Sequence, residues 1–160
     1  MKSNAICDEK ASHGGTELPA GLKLDYLRPF DATVVTDRWG YSVFSETEAY
    51  FRYLIGHLPQ ACIRRTKDDR PIAWGLEYQF GGGAARYTEP EYRRMKLSST
   101  LDRARLREHF AINPAPVFSG VEIGNQVSLQ LHDRLHFRRP AAYHLYSAFR
   151  TEPAIFHSKL

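Results

Sequence analysis

Arg86, Arg93, Arg94 and Lys96 crowd one stretch, Arg86-Tyr87-Thr88-Glu89-Pro90-Glu91-Tyr92-Arg93-Arg94-Met95-Lys96-Leu97-Ser98-Ser99. The pattern reads as a strand, a basic loop and the start of a helix. Such a start presents unpaired backbone N–H groups and the positive end of the helix dipole, a geometry that holds phosphate. The chemistry would be the anchoring of a pyrophosphate. Taken alone, the loop is better explained as a solvated basic helix start. Glu77 and Glu122 fall in strands, where a carboxylate facing a cleft can take a proton, although solvation on an outer sheet face explains either one singly. His132 has an unperturbed pKa of about 6.5, which suits a general acid as well as an ordinary helix histidine.

Other chemistry-bearing residues fall to plainer readings. Gly81-Gly82-Gly83 between two strands is a hairpin turn that needs no ligand. His132 and His136 share a helix face, but no zincin motif or third ligand accompanies them, so no metal site is expected. Cys62 lies in an apolar strand without a recognisable partner and reads as core. Tyr143, Tyr146 and Phe149 read as packing aromatics rather than base-stacking platforms.

The elements that must position these groups follow from periodicity. The chain has 160 residues, 42% hydrophobic, enough for one packed domain and against wholesale disorder. Residues 1–20 read as a polar tail without signal-peptide or presequence character, and 21–160 as one α/β domain. Leu22 to Leu27 alternates as a strand, Asp31 to Gly40 is a short helix, and Ser45-Glu46-Thr47-Glu48 is a capping box. Behind it Phe51, Leu54, Ile55 and Leu58 share one helical face, ended by Pro59. Strands follow at 61–65, 72–78 and 84–88. The helix over 97–110 aligns only Leu97, Leu101 and Ala104. A strand over 117–123 leads to a helix over 125–135, capped by Asn125 with Val127, Leu131 and Leu135 in line, and a strand over 141–149 closes the chain. No apolar run is long enough to span a membrane. The net charge of +4 is too small to imply a nucleic-acid face, because the seven basic residues of 86–109 are interleaved with four acids.

The basic loop and the helix after Ile123 together resemble the GNAT superfamily of acyl-CoA-dependent N-acyltransferases. Arg93 to Ser98 is similar to its Arg/Gln-x-x-Gly-x-Gly/Ala loop. Asn125, Ser128, Leu131, His132, His136 and Phe137 are similar to its Asn-x-x-Ala/Ser-x-x-Leu-Tyr-x-x-x-Gly-Phe pattern. Leu27 and Pro29, Trp39, Leu58 to Ile63, Pro71 to Trp74, Thr88 to Arg93, and Pro116 to Ser119 resemble the glycine N-acyltransferases, over their C-terminal acyl-CoA-binding domain.

The resemblance implies a GNAT-like fold: a mixed, mostly antiparallel sheet flanked by helices and split between the 84–88 and 117–123 strands. It implies amine attack on an acyl-CoA thioester, with acyl-CoA as co-substrate, no permanently bound cofactor, and a small amine such as glycine as acceptor. Arg86, Tyr87 and Thr88, then Arg93, Arg94, Met95, Lys96, Leu97, Ser98 and Ser99, with Asn125 and Ser128, would hold the acyl-CoA. A bulge-like spread near Arg86 and Tyr87 would offer an N–H to the thioester oxygen. His132 stands at the frequent Tyr acid position. The family's proposed base aligns with Gly82, so Glu77 and Glu122 are the substitutes. Lys96 and His136 stand where Gly is preferred. These departures support an alternative, a non-catalytic acyl-CoA-binding protein on the same scaffold. The family's location implies mitochondria, with cytoplasm as the alternative. No membrane or nucleic-acid partner is expected.

Overall fold

A computed structural model describes residues 17–40, 45–121 and 124–137, and the backbone of 146–150. The chain runs β1 (Leu22–Asp25), α1 (Ala32–Arg38), α2 (Thr47–His57), β2 (Gln60–Arg65), β3 (Pro71–Glu77) and β4 (Gly82–Thr88). It continues through α3 (Leu97–Ile112), β5 (Val117–Val121), α4 (Gln126–Arg134) and β6 (Tyr146–Arg150). This is the α/β order expected from the periodicity. The six strands form one sheet in sequence order, and every neighbouring pair is antiparallel except β4 with β5.

Alternation along the central strands explains the layers. Cys62, Trp74, Leu76 and Ala84 pack with Val35, Phe51 and Leu54, so α1 and α2 cover one face. Ala61, Ile63 and Ala73 pack with Leu97 and Leu101, so α3 covers the other. With both faces covered, every residue of β3 is buried. Cys62 is core, as expected, and burial pushes its thiol pKa up, away from nucleophile chemistry. A third cluster, Leu106, Val117, Leu135 and Phe137, joins α3, β5 and α4.

Four local expectations are corrected. The 45–48 segment forms no capping box: α2 starts at Thr47 behind Glu46, with no side-chain cap bond. The Ser45 hydroxyl instead bonds the Glu46 carboxylate and holds its pKa below the ordinary value. Gly82 and Gly83 belong to β4 rather than to the turn, and of the three glycines only Gly81 has a left-handed φ, 82°. Leu106, off the expected α3 stripe, is fully buried, because α3 fills two clusters rather than one. In α4 Leu131 and Leu135 pack inward as expected, together with Leu129 and His132, while Val127 is exposed. Glu122, Ile123 and Tyr143 lie outside the described residues, and the last strand is described only over Tyr146–Arg150.

Candidate functional site

The parallel strands β4 and β5 pair only at Gly82↔Phe118 and Gly83↔Ser119, then part. Just past that point the β3–β4 ladder is irregular. Trp74 faces Tyr87 and Leu76 faces Ala84, so Ala85 and Arg86 oppose Gly75 alone, and Ala85 has φ 42°. Two residues against one is a β-bulge, which bends the strand and re-aims its backbone groups. The bulge lies beside the opening gap, one residue before the position expected from sequence.

Beyond β4, a 3₁₀ turn at Pro90–Tyr92 leads into the basic loop. Arg94 and Lys96 both adopt left-handed backbone, with φ 65° and 60°. Lys96 is the N-cap of α3 and has no side-chain cap bond. The Ser99 N–H donates to the Lys96 carbonyl, which closes the first turn. Arg93 Nε donates to the Thr88 carbonyl at 3.1 Å, and its guanidinium lies over the Tyr87 ring at 5.9 Å. Arg94, Met95 and Lys96 are exposed, and Arg94 and Lys96 make no ion pair among the described residues. Leu97 is buried in the core, and Ser98 and Ser99 are half-buried on the first turn. Position 96, where the resemblance implies Gly, is left-handed, a conformation in which a Cβ is crowded.

Under the gap runs a chain of buried charge that the sequence reading did not find. His109 Nε2 faces the Ala115 carbonyl at 2.9 Å and its Nδ1 faces Glu77 Oε1 at 2.7 Å. Arg105 Nη1 donates to Glu77 Oε2 at 2.8 Å, and Arg105 Nε lies 3.8 Å from Asp102. Arg86 Nη1 donates to Asp102 Oδ2 at 2.5 Å and Arg86 Nη2 to the Ser128 hydroxyl at 3.0 Å. The loop before β5 is thus tied to α3, α3 to β3 and β4, and β4 to α4. Glu77, Asp102, Arg105 and His109 are each at most 5% exposed. Glu77 is therefore not an open cleft carboxylate: each oxygen is engaged. Arg86 and Ser128, expected on the cofactor, bond each other. The spacing Asp102, Arg105, His109 lies along one helix face and was the available signal, obscured because charged residues are normally read as facing water.

Asn125 caps α4 as expected, its side chain accepting from the Ser128 N–H at 3.0 Å. The helix ends in a Schellman turn: His136 N–H bonds Asp133 O and Phe137 N–H bonds His132 O, both at 3.0 Å. His136 sits at the left-handed position with φ 60°. His132 is 4% exposed, donates from Nδ1 to the Ser128 carbonyl at 2.7 Å and meets the Phe137 ring edge-on. Burial, followed by the Arg86 charge, lowers its pKa. These contacts favour neutral imidazole and hold the ring inside the helix end.

At the aligned base position, a Cβ on Gly82 would stand 2.9 Å from ring atoms of both Phe80 and Phe118. Tyr50, Tyr78, Phe80 and Phe118 stack in series with centroids 6.4, 5.0 and 5.4 Å apart. The position that the resemblance aligns with a base is thus lined by aromatic rings. Tyr87 stacks on Trp74 at 5.1 Å and points its hydroxyl at the buried Glu89, which Arg38 and Arg70 also hold. Among the described residues, no group of His, Cys, Asp or Glu could hold a metal ion, and no helix is long and apolar enough to cross a membrane.

No protein-family model matches the chain. Among solved structures, a Drosophila protein is similar with TM-score 0.73 and 23% identity, over 88% of this chain and 46% of its own. This chain therefore spans about half the length of that protein. A GNAT superfamily phosphinothricin acetyltransferase from Sinorhizobium meliloti, in complex with acetyl-CoA, is similar with TM-score 0.64 and 16% identity, over 81% of this chain and 86% of its own. The spermidine/spermine N-acetyltransferase SpeG from Vibrio cholerae is similar with TM-score 0.63 and 12% identity, over 86% of this chain and 99% of its own. With the split sheet, the β4 bulge and the left-handed start of α3, these likenesses give the conclusion that the chain has the GNAT fold.

Proposed function

We propose that this chain transfers an acyl group from acyl-CoA to the amine of a small acceptor, glycine foremost. The observation that carries the reading is the bulge at Ala85 and Arg86 beside the β4–β5 gap, followed by a left-handed turn into α3 flanked by exposed Arg94 and Lys96. The pantetheine arm would enter the gap, and the pyrophosphate would rest on the Arg94–Ser99 backbone. A free amine attacks the thioester carbonyl, a backbone N–H at the bulge receives the developing oxyanion, and the thiolate of CoA departs. Glu77 is sealed by Arg105 and His109, which leaves Glu122 as the sequence's remaining candidate to take the amine's proton. Glycine as acceptor and a mitochondrial location rest on the resemblance to glycine N-acyltransferases.

The aromatic filling around Gly82 favours one second reading, an acyl-CoA-binding protein with weak or no transfer. Thiol release from acetyl-, butyryl- and benzoyl-CoA with a panel of amines, with product identification, decides between the two. Binding of CoA without amine-dependent thiol release would select the second. Replacing both Arg93 and Arg94 by Ala should weaken CoA binding by about tenfold or more, since several phosphate contacts are lost together. Unchanged affinity would remove the cradle and both readings with it.

A further inference from the structure

Within the chain of buried charge, His109 cannot make both of its bonds as a neutral ring. Its Nε2 lies 2.9 Å from the Ala115 carbonyl, an oxygen that only accepts, so Nε2 carries a hydrogen. Its Nδ1 lies 2.7 Å from Glu77 Oε1, and Arg105 donates to the other Glu77 oxygen at 2.8 Å. With Arg105 on its far side, Glu77 presents a carboxylate acceptor to His109. A neutral imidazole has one N–H and would turn a lone pair on one of these two oxygens. Satisfying both takes the imidazolium. Glu77 of β3 is the carboxylate that faces it directly, with Arg105 and Asp102 of α3 and Arg86 of β4 in line behind. From α4 come the Ser128 hydroxyl, on Arg86, and His132, which burial and then the Arg86 charge keep toward its neutral form. The Phe110 ring meets His109 edge-on at 5.0 Å, and Glu108 accepts instead from the Gln60 N–H of β2 at 3.1 Å.

We propose that His109 is a proton-held latch: its second proton fastens the loop before β5 to α3 and β3, and loss of that proton releases the loop and loosens the β4–β5 pairing. The latch goes beyond the acyl-transfer reading and does not depend on it. Solvent decides which bond gives way. Ala115 is exposed, so water can replace His109 at its carbonyl, whereas Glu77 is 4% exposed and has no such substitute. A deprotonated ring therefore keeps its one N–H on Glu77 and lets go of Ala115. The released loop runs at once into β5. There the Phe118 N–H donates to the Gly81 carbonyl at 3.3 Å, and Gly82↔Phe118 and Gly83↔Ser119 are the two pairings that join β5 to β4. These pairings fix where the gap begins, so the His109 proton bears on the width of the gap from outside it.

The test follows the full chain by nitrogen NMR of the histidine rings and by hydrogen–deuterium exchange, from about pH 5 to 9, which brackets the titration of imidazoles. At neutral pH both His109 nitrogens should carry protons. As pH rises and His109 loses the second one, exchange at 117–119, corrected for its intrinsic pH dependence, should quicken about tenfold, the equivalent of one hydrogen bond from a charged donor. The β2–β3 ladder should stay protected across the same step. His109→Gln, neutral at every pH, should show the faster exchange throughout and no step. His132→Asn should keep the step, because protonation of His132 belongs to the acid side and acts with the opposite sign. A singly protonated His109 at neutral pH, a ring that keeps both protons over the whole range, or a titration that leaves exchange at 117–119 unchanged would each overturn the latch. So would a step that survives in His109→Gln. Should that variant fail to fold, the wild-type match between ring titration and exchange decides alone.

Discussion

Lys96 and His136 show how one backbone dihedral sets the value of a side chain. Both are left-handed, at 60°, in positions where Gly is the cheaper residue. A non-Gly residue there costs roughly 1–2 kcal/mol, offset in part by the entropy that Gly loses on folding. Lys96→Gly should therefore raise stability by about 1 kcal/mol in denaturant melts. On the cradle reading it should also weaken CoA severalfold, because the ammonium is lost. Tighter CoA binding would mean instead that Lys96 obstructs a decayed site. His136→Gly should give a similar stability gain with no change in CoA affinity, since it only completes the turn after α4. His132 carries a pH prediction. Its folded pKa is lowered by burial, so the unfolded chain takes up its proton first as pH falls. Stability linked to it is full above the unfolded value of about 6.5 and is lost as pH drops through the folded value. Melting temperatures at pH 8 and pH 5.5 should diverge more for the wild type than for His132→Asn.

At the scale of elements, α3 is held by two different kinds of contact. Its first half packs Leu97 and Leu101 on β2 and β3, a face legible from helical spacing. Its second half is tied to β3 by Glu77, Arg105 and His109, partners 28 and 32 residues apart in the chain. Removing one member of a buried ionic group leaves the others unpaired, at a cost of about 3–5 kcal/mol. Glu77→Ala should lose that much in equilibrium unfolding, and a loss below about 1 kcal/mol would mean the cluster is solvated. The β3–β4 hairpin carries a packing prediction. A methyl on Gly82 meets two rings at 2.9 Å. Overpacking of this kind costs about 1–3 kcal/mol, so Gly82→Ala should destabilise by that amount. Phe80 is largely exposed and can be trimmed, so Gly82→Ala combined with Phe80→Ala should recover part of the loss, the remainder being the contact with Phe118. A Glu introduced at Gly82 would therefore have to move both Phe80 and Phe118.

At the scale of the molecule, the sheet is continuous except where β4 and β5 part after two paired residues. Amides facing that gap should exchange with solvent faster than those of the β2–β3 ladder, because they lack ladder partners. CoA should slow exchange there first, as seen by hydrogen–deuterium exchange along 84–88 and 117–121. Protection confined to other segments, with none along 84–88 and 117–121, would place the ligand outside the gap. What the sequence determined by itself is local. Pro59 and the Pro90 turn stop elements, Asn125 caps α4, period-two alternation marks the strands, and the Gly-preferring positions at Lys96 and His136 are indeed left-handed. Each depends on residues within a turn or two of each other, so spacing alone carries it. The tertiary structure decided which of these residues remain free. Arg86 and Ser128 are drawn together from 42 residues apart. Glu77 is sealed, His132 is buried, and the base position is closed by Phe80 and Phe118. A side chain's charge and type are written in the sequence. Its solvation and its partner are set only when the helices close over the sheet, and these decide whether a charge does chemistry or holds the fold.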